Sequence, residues 1–307
     1  MNLIAIDVSK EKLDILFDYS GKHTVIQNTK KDIKKLITKI KKLKNAKLIF
    51  EASGGYDKCL KNIALEAGIN CCICNGRRVR EFARSQGLLA KTDKLDTYVI
   101  AQYAKASDLI VTNSRDNDRE ALKELNVRRR QILDLINQEE NKLEHDYSEF
   151  VTKSINSSLE YLRKELSNIE DEIEKFIEGN AELKKKKELL ETIPGIGKVT
   201  AITLIADLPE LGKLSKSKIA SLAGLAPMNH DSGKFSGQRK TKHSRRQIKS
   251  VLYMAAISAT KSNPRIKSFY GKLKAKGKKG KVALVACMRK LVIYANAMLK
   301  EGKEFKA

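Results

Sequence analysis

Four carboxylate side chains stand where strands are predicted to end and a helix to begin. Asp7 closes the apolar run 3–7 and Glu51 closes the run 47–51, so each follows a predicted strand. Asp93 and Asp96 are three residues apart in one predicted helix and face the same side. If the two strands are neighbours, the acids converge at one sheet edge, where they repel one another without a cation.

The carboxylate ligands predict which cation would bind among these acids and what chemistry it would support. Carboxylate oxygens are hard ligands that select Mg²⁺ or Mn²⁺. Such ions activate one oxygen and stabilise another in phosphodiester chemistry. Each acid alone has a simpler explanation, since acids at strand ends cap turns and Asp93 could cap its helix. Four acids in this order favour the metal site.

The elements around the acids predict an α/β domain with a mixed sheet over residues 1–112. Three strand patterns come first and are followed by alternating helices and strands. The predicted strands are 3–7, 12–19, 23–27, 47–51 and 70–75, and the predicted helices are 32–43, 56–67, 78–85 and 91–105.

Residues 113–188 carry heptad-like spacing of apolar residues twice, with a polar break near 146–157. The two series run from Leu122 to Leu143 and from Leu159 to Phe176. The pattern predicts either an antiparallel helical hairpin or an oligomerising coiled coil, and the spacing alone leaves both open.

Positive charge is concentrated in residues 189–307. The chain has 61 Lys and Arg against 37 Asp and Glu, a formal net charge of +24, and residues 213–307 hold 24 basic and three acidic side chains. Nucleic acid is the commonest partner for such a region, and a Lys-rich solvated surface is the alternative. We predict a mainly helical basic domain with helices at 219–225, 248–260 and 282–299, a polar loop at 229–242 and a Lys/Gly tract at 271–281.

Membrane and secretory classes are disfavoured by the sequence. No apolar run is expected to span a bilayer, and the N-terminus lacks a signal-peptide pattern. The five cysteines have no zinc-like spacing, and Cys71, Cys72 and Cys74 lie in an apolar run that predicts buried, reduced thiols. We expect a cytoplasmic protein associated with the bacterial nucleoid.

Several motifs appear in an order that is similar to one known family. The motifs are Ile6-Asp7-Val8-Ser9-Lys10, Glu51-Ala52-Ser53-Gly54-Gly55-Tyr56, Asn75-Gly76-Arg77-Arg78-Val79-Arg80, Ala90-Lys91-Thr92-Asp93-Lys94-Leu95-Asp96, Ile193-Pro194-Gly195-Ile196-Gly197, Leu222-Ala223-Gly224-Leu225-Ala226-Pro227 and Asp231-Ser232-Gly233-Lys234. Together they resemble the DEDD insertion-sequence transposases, the "one-ten" family, which includes DNA invertases and bridge-RNA-guided recombinases.

The resemblance implies a fold and a catalytic set. It implies an N-terminal RuvC-like domain of RNase H fold, with Asp7, Glu51, Asp93 and Asp96 as an acidic tetrad that binds Mg²⁺ or Mn²⁺. It also implies a C-terminal transposase domain whose nucleophilic serine matches Ser232, and Ser236 is a nearby alternative. A structured bridge RNA and a dimer or tetramer are the further partners that it implies.

Candidate nucleic-acid contacts lie near the acids, near the serine and in a helix-hairpin-helix-like turn. They are Arg77, Arg78, Arg80 and Lys91, then Lys234, Arg239, Lys240, Arg245 and Arg246, and finally Gly195 and Gly197. Arginine forks fit phosphate oxygens, and glycines let backbone N–H groups approach a phosphate at a helix N-terminus. A solvated helix face and an ordinary Pro-Gly turn are the alternatives.

The sequence therefore predicts a transposase or site-specific recombinase that cuts and rejoins DNA through a phosphoserine. Three alternatives stay open: a metal-dependent junction endonuclease without a covalent step, a DNA invertase, and a non-enzymatic DNA-binding protein. Loss or retention of cleavage after replacement of Ser232 separates the first alternative from the recombinase, because only a covalent mechanism requires that hydroxyl.

Overall fold

The computed structural model describes residues 2–88, 90, 92–107, 111–112, 117–228, 231–232, 235–236, 240–241 and 245–306. The chain divides into two compact units, Met1–Asp116 and Asn117–Ala307. The helices predicted as a separate central segment share the second unit with the basic region. The functional division at 112/113 and 188/189 stays a prediction.

The first unit is built on a mixed sheet. Its six described strands are β1 (Asn2–Val8), β2 (Lys12–Phe17), β3 (Lys22–Gln27), β4 (Ala46–Glu51), β5 (Asn70–Cys74) and β6 (Val111–Thr112), in the order β3-β2-β1-β4-β5-β6. β1 pairs antiparallel with β2 and parallel with β4, which pairs parallel with β5. The predicted mixed α/β architecture is confirmed; its assignment to the RNase H fold stays a prediction.

Helices cover both faces of this sheet, because both faces are apolar. α1 (Lys30–Lys41) and α2 (Lys58–Glu66) pack on the face of Ile4, Ile6 and Phe50. α3 (Gly76–Ser85) and α4 (Asp93–Ala106) pack on the opposite face, with Leu3, Ala5 and Ile49. Cys71, Cys72 and Cys74 are buried free thiols, as predicted, and burial raises the pKa of Cys71 to about 12.

The second unit begins with a helical hairpin, α5 (Asn117–Lys142) and α6 (Glu149–Glu178). Arg129 pairs with Glu170 at 2.6 Å, and Arg163 pairs with Glu140 at 2.8 Å, so the two helices run antiparallel. Ile132, Ile136 and Leu159 of the two heptad series pack in one cluster with Ile155, which lies in the predicted polar break. Of the two structures left open by the spacing, the hairpin is the one observed. Apolar residues of the two heptad series, called the heptad seam below, pack against each other within this hairpin.

The remaining helices pack around one large core. They are α7 (Ala181–Glu191), α8 (Lys198–Asp207), α9 (Lys216–Leu222), α10 (Arg246–Ser262), α11 (Pro264–Ala275) and α12 (Gly280–Glu301). One prediction needs correction. The segment 229–242 is not a plain loop, since its described residues form short strands. The Lys/Gly tract, for which no structure was predicted, belongs to α11 up to Ala275. Two-residue strands are too short to leave an alternating pattern in the sequence.

The expectation that no apolar run could span a bilayer is wrong by length and composition. α12 has 22 residues and a mean hydropathy of 1.6 over its most apolar window, of which 44% is buried. Cys287, Met288, Leu291, Val292 and Ala295 of this helix lie fully buried in the core of the second unit. The apolar residues of α12 therefore contribute to the core of this unit.

Candidate active site

The sheet register places two of the predicted acids side by side. Ile6 and Phe50 are paired in the parallel ladder of β1 and β4, so the next residues, Asp7 and Glu51, occupy neighbouring positions. Side chains alternate between faces along a strand, and Asp7 therefore follows Leu3 and Ala5 on the face that α4 covers. Glu51 follows Ile49 onto the same face by the same alternation.

The start of α4 supplies the other two acids. Thr92, not Asp93, is the N-cap residue, and its hydroxyl accepts a hydrogen bond from the Leu95 backbone N–H at 3.3 Å. Asp93 and Asp96 lie in the first turn, where the helix dipole stabilises negative charge. One carboxylate oxygen from each of Asp7, Asp93 and Asp96 lies within 4.8 Å of the other two. The structure therefore brings together three of the four predicted acids.

Glu51 stands beside this group, against the first turn of α3. It is absent from the set of oxygens within 4.8 Å of one another. A Cβ atom placed on Gly76 would lie 2.5 Å from Glu51 Oε2, so the carboxylate occupies the space that any larger residue would need. Gly76 is the first residue of α3, and the helix N-terminus favours the negative charge of Glu51.

Two charged residues that contact or flank the acids were not predicted from the sequence. The Lys12 ammonium donates a hydrogen bond to Asp93 Oδ2 at 2.5 Å and lies 3.2 Å from Asp14 Oδ2. Asp14 pairs with Asp7 in the β1–β2 ladder and is only 4% exposed. Hydrogen bonds to Asp93 and then Asp14 raise the pKa of Lys12. The sequence offered one indication of Asp14: it is an aspartate between two apolar residues, Leu13 and Ile15, within a predicted strand, and the structure buries it.

The group fits a divalent cation by its donor chemistry. Three carboxylates offer hard oxygens within one small volume, and the Lys12 ammonium already places a positive charge against one of them. Asp7, Asp93 and Asp96 would hold the ion, with Glu51 adjacent. An arrangement of this kind can lower the cost of negative charge on a phosphodiester oxygen.

The contact between Gly76 and Glu51 gives a prediction. Gly76→Ala is expected to fold normally, since alanine is favourable in a helix, while the new methyl group forces the Glu51 carboxylate to move. We expect the affinity for Mn²⁺ to fall about 10- to 100-fold, as for loss of a group that orients a metal ligand. Gly271→Ala in α11 meets no atom within 4 Å and is the matched control. Equal Mn²⁺ affinity in both variants would contradict a role for Glu51 at the candidate metal site.

The predicted serine lies in a pair of short strands. β7 (Pro227–Met228) pairs with β10 (Lys240–Thr241), and β8 (Asp231–Ser232) pairs with β9 (Phe235–Ser236). Ser232 is opposite Phe235, and Ser236 is opposite Asp231, so the two candidate serines lie on adjacent strands. Lys91, Lys234 and Arg239 fall outside the described residues.

Arg245 is engaged in contacts within the second unit. Its guanidinium binds both carboxylate oxygens of Glu210, at 2.7 and 2.9 Å, and donates to the Asp207 carbonyl at 2.8 Å. Arg130 pairs with the Asp207 side chain at 2.7 Å. These bonds fasten the start of α10 to the end of α8, whereas Arg246 is exposed. Contact of either arginine with nucleic acid stays a prediction.

The Arg245–Glu210 pair predicts a pH dependence of stability. Burial is the largest single effect and raises the pKa of Glu210, but the hydrogen bonds and positive charge of Arg245, with a backbone hydrogen bond and the charge of Arg119, together lower the net pKa. A carboxylate with a lowered pKa stabilises the fold fully above the ordinary Glu pKa of about 4.3, and the contribution is lost as pH falls through the lower pKa of the folded state. Glu210→Gln should therefore cost about 1 to 2 kcal/mol at pH 7 and less at pH 3.5. Urea unfolding at both pH values measures this; a cost that does not change with pH would contradict it.

The two glycines of the predicted phosphate-binding turn have different surroundings. Gly195 has φ of +101°, and a Cβ there would lie 2.5 Å from Ala259 Cβ of α10. Gly197, the N-cap of α8, is exposed with no atom within 4 Å of an added Cβ. Close packing accounts for Gly195, while Gly197 offers the open helix start that a phosphate would need.

The arginines of α3 lie beside the acids within the first unit. Arg77, Arg78 and Arg80 are exposed, and α3 begins at the glycine that contacts Glu51. Arg77 also pairs with Glu81 at 2.8 Å. Basic side chains next to these carboxylates would suit a phosphate backbone, and contact of these arginines with nucleic acid stays a prediction.

A mixed sheet with clustered carboxylates at one edge, in a chain that also has a basic helical unit, indicates the class of proteins that act on nucleic acid. Comparisons with known proteins identify one family. A transposase family model of the DEDD IS110 type matches residues 4–146, and a model described as "Transposase IS116/IS110/IS902 family" matches residues 187–271. Together the two models cover most of the chain, which belongs to the IS110-type transposase family.

Several curated proteins are similar to the chain. The "Pilin gene-inverting protein" of Moraxella lacunata is 29% identical over 273 residues, which are 84% of this chain and 81% of that protein. The protein of the same name from Moraxella bovis has the same identity and coverage. An uncharacterized 43.6 kDa protein of insertion element IS110 from Streptomyces coelicolor is 26% identical over 50% of this chain and 38% of its own length.

Proposed function

We propose that this member of the transposase family cuts and rejoins DNA with a metal-binding acidic tetrad and a serine nucleophile. The observation that carries the metal-dependent part is the convergence of Asp7, Asp93 and Asp96 beside Glu51. The family membership supports DNA as the substrate. Mg²⁺ or Mn²⁺ held by these residues would stabilise negative charge on the reacting phosphate.

The covalent step exchanges one phosphodiester bond for another and needs no ATP. The Ser232 oxygen forms a bond to phosphorus while the bond from phosphorus to one deoxyribose oxygen breaks. The serine proton leaves to a base, and the released deoxyribose oxygen takes up a proton. Attack by a deoxyribose hydroxyl of the recombining strand reverses these changes, so the phosphodiester energy is conserved and ATP is not required.

The partners proposed are DNA, a structured bridge RNA and further copies of the chain. The exposed arginines of α3 and the basic surface of residues 213–307 support polyanion binding. Because the heptad seam is used within the α5–α6 hairpin, it does not itself argue for an oligomer. Exposed Tyr147 and Phe150 near the hairpin tip, at 42% and 83% exposure, offer an apolar contact for a second copy.

Trapping of a protein–DNA adduct tests the function. Wild type, Ser232→Ala and Ser236→Ala are incubated with Mg²⁺, DNA carrying the element's own ends and co-purified RNA, then separated on a denaturing gel. We expect an adduct with wild type and Ser236→Ala and none with Ser232→Ala. Parallel reactions treated with ribonuclease test the need for RNA.

Other outcomes select the alternatives. Adduct loss in Ser236→Ala alone would assign the nucleophile to Ser236. Metal-dependent cleavage without an adduct in any protein would favour the junction endonuclease, and binding without cleavage would favour a DNA-binding protein. Inversion is a second candidate use of the same chemistry, favoured by the 29% identity to the pilin gene-inverting proteins. A reporter with inverted sites distinguishes inversion from transposition.

A further inference from the structure

Lys12 is held rigidly at the rim of the acidic group. The Lys12 backbone N–H donates to Ser9 Oγ at 3.2 Å, and the Lys12 carbonyl accepts from the Ser9 hydroxyl at 2.8 Å and from the Ser9 N–H at 3.0 Å. These three bonds close the turn between β1 and β2. The lysine therefore leaves the sheet from a fixed point, two residues before Asp14, which is the register partner of Asp7.

Its ammonium bridges two acids of different character. Asp93 is an exposed member of the cluster, on the first turn of α4. Asp14 is buried, faces Asp7 across the ladder, and has His23 Nε2 at 3.7 Å from its other oxygen. The shorter contact is the one to Asp93, at 2.5 Å against 3.2 Å to Asp14. A buried carboxylate needs a positive partner, so Asp14 would still hold Lys12 once a cation occupies Asp93.

We propose that Lys12 is a tethered counter-ion of the metal site. In the metal-free protein it neutralises Asp93 and holds it beside Asp7 and Asp96; a divalent cation takes over Asp93, and Asp14 keeps the released ammonium at the edge of the site. This inference rests on the proposed metal-binding function. Lys12 is a positioning residue, because it acts through Asp93 and Asp14.

The direction of the effect follows from charge. A lysine at 2.5 Å from Asp93 competes with any cation for that carboxylate and repels it. Removing the ammonium should therefore tighten metal binding, whereas it should lower the stability of the metal-free protein, because one positive charge beside Asp93 and Asp14 is lost. An ordinary surface lysine would change neither quantity measurably.

Calorimetric titration with Mn²⁺ tests the proposal on the full chain, together with thermal melting in EDTA. We expect Lys12→Met to lower the Mn²⁺ dissociation constant about three- to tenfold, given that the pair is partly screened by solvent. Its melting temperature in EDTA should fall below that of wild type. Lys12→Gln repeats the neutral change with a polar side chain, and Lys12→Arg, which retains the charge, should stay within about twofold of wild-type affinity.

Lys10→Met is the matched control. Lys10 is exposed, two residues earlier in the same turn, and makes no ion pair among the contacts recorded for the described part of the chain. Its loss removes the same charge and should leave both measurements unchanged. Asp14→Asn removes the tether and one negative charge, and it should weaken Mn²⁺ binding, opposite in sign to Lys12→Met.

The outcomes separate this inference from the proposed function. Equal or weaker Mn²⁺ binding by both Lys12→Met and Lys12→Gln, with wild type binding normally, overturns the counter-ion and leaves the metal site intact. An equal increase in Mn²⁺ affinity in Lys10→Met would show that the effect comes from net charge alone, and it would also overturn the counter-ion role of Lys12. Absence of Mn²⁺ binding in wild type and in every variant overturns the metal site and the counter-ion together.

Discussion

Replacing Gly195 with alanine is expected to destabilise the second unit by about 2 to 5 kcal/mol, enough to unfold many proteins of this size. Two costs combine. The backbone φ of +101° is strained for any residue with a Cβ, and the new methyl group would lie 2.5 Å from Ala259 Cβ and 2.8 Å from its backbone nitrogen. A helix backbone cannot move aside as a flexible side chain can, so the strain spreads into the core.

The surrounding contacts leave little room for relaxation. Ile193 and Ile196 on either side of Gly195 are buried at 0% and 3% exposure, and the fully buried Asn263 donates from its side chain to the Pro194 carbonyl at 3.2 Å. Asn263 also caps α11. The turn is thus fastened to the junction of α10 and α11, and its displacement would disturb both helices.

Urea unfolding of Gly195→Ala beside Gly197→Ala measures the effect. Gly197 has room for a Cβ and a negative φ, so its variant should stay within about 0.5 kcal/mol of wild type. If Gly197→Ala weakens DNA binding while its stability stays at the wild-type level, Gly195 has a structural role and Gly197 has a role in binding. Equal stability of both variants would contradict the packing explanation for Gly195.

Local patterns in the sequence were sufficient for the elements of the first unit. The helix predicted at 32–43 is α1, whose apolar residues Ile33, Leu36, Ile37 and Ile40 recur at helical spacing and are all buried. The apolar runs ending at Asp7 and Glu51 are strands, because runs of this length and residue type favour a buried parallel pair. The convergence of acids was predicted from the same patterns and is observed for Asp7, Asp93 and Asp96.

What the sequence could not provide depends on contacts between distant residues. Lys12 reaches Asp93 across 81 positions, and Gly195 meets Ala259 from a helix 64 positions later, so neither contact leaves a local pattern. The role of Asp14 depends on the register of β1 with β2. The strands around Ser232 have two residues each, which is below the length at which alternation can be recognised.

Asp7→Asn is expected to lower DNA cleavage more than about 100-fold, beyond the usual effect of losing a residue that merely orients a metal ligand. Asp7 stands at the centre of the site, in register with Asp14 on one side and next to Glu51 on the other. The amide keeps the size of the side chain but loses the negative charge that binds a divalent cation.

Stability and function should respond in opposite directions to this change. Three carboxylates whose oxygens lie within 4.8 Å repel one another in the absence of metal, so removing one charge relieves that repulsion. The melting temperature of Asp7→Asn in EDTA should therefore equal or exceed that of wild type, while the increase that Mg²⁺ or Mn²⁺ produces in wild type should disappear.

Asp18→Asn is the matched control for this measurement. Asp18 belongs to the same unit but follows the opposite end of β2, where it pairs with Lys105 at 2.9 Å and its N–H bonds to the Leu3 carbonyl. Its replacement should leave cleavage and the metal-dependent rise in melting temperature unchanged. If Asp7→Asn retains both, the acids at this sheet edge are structural, and the basic surface alone accounts for binding to DNA. A loss confined to Asp7→Asn places the cation at the edge where β1, β4 and α4 meet.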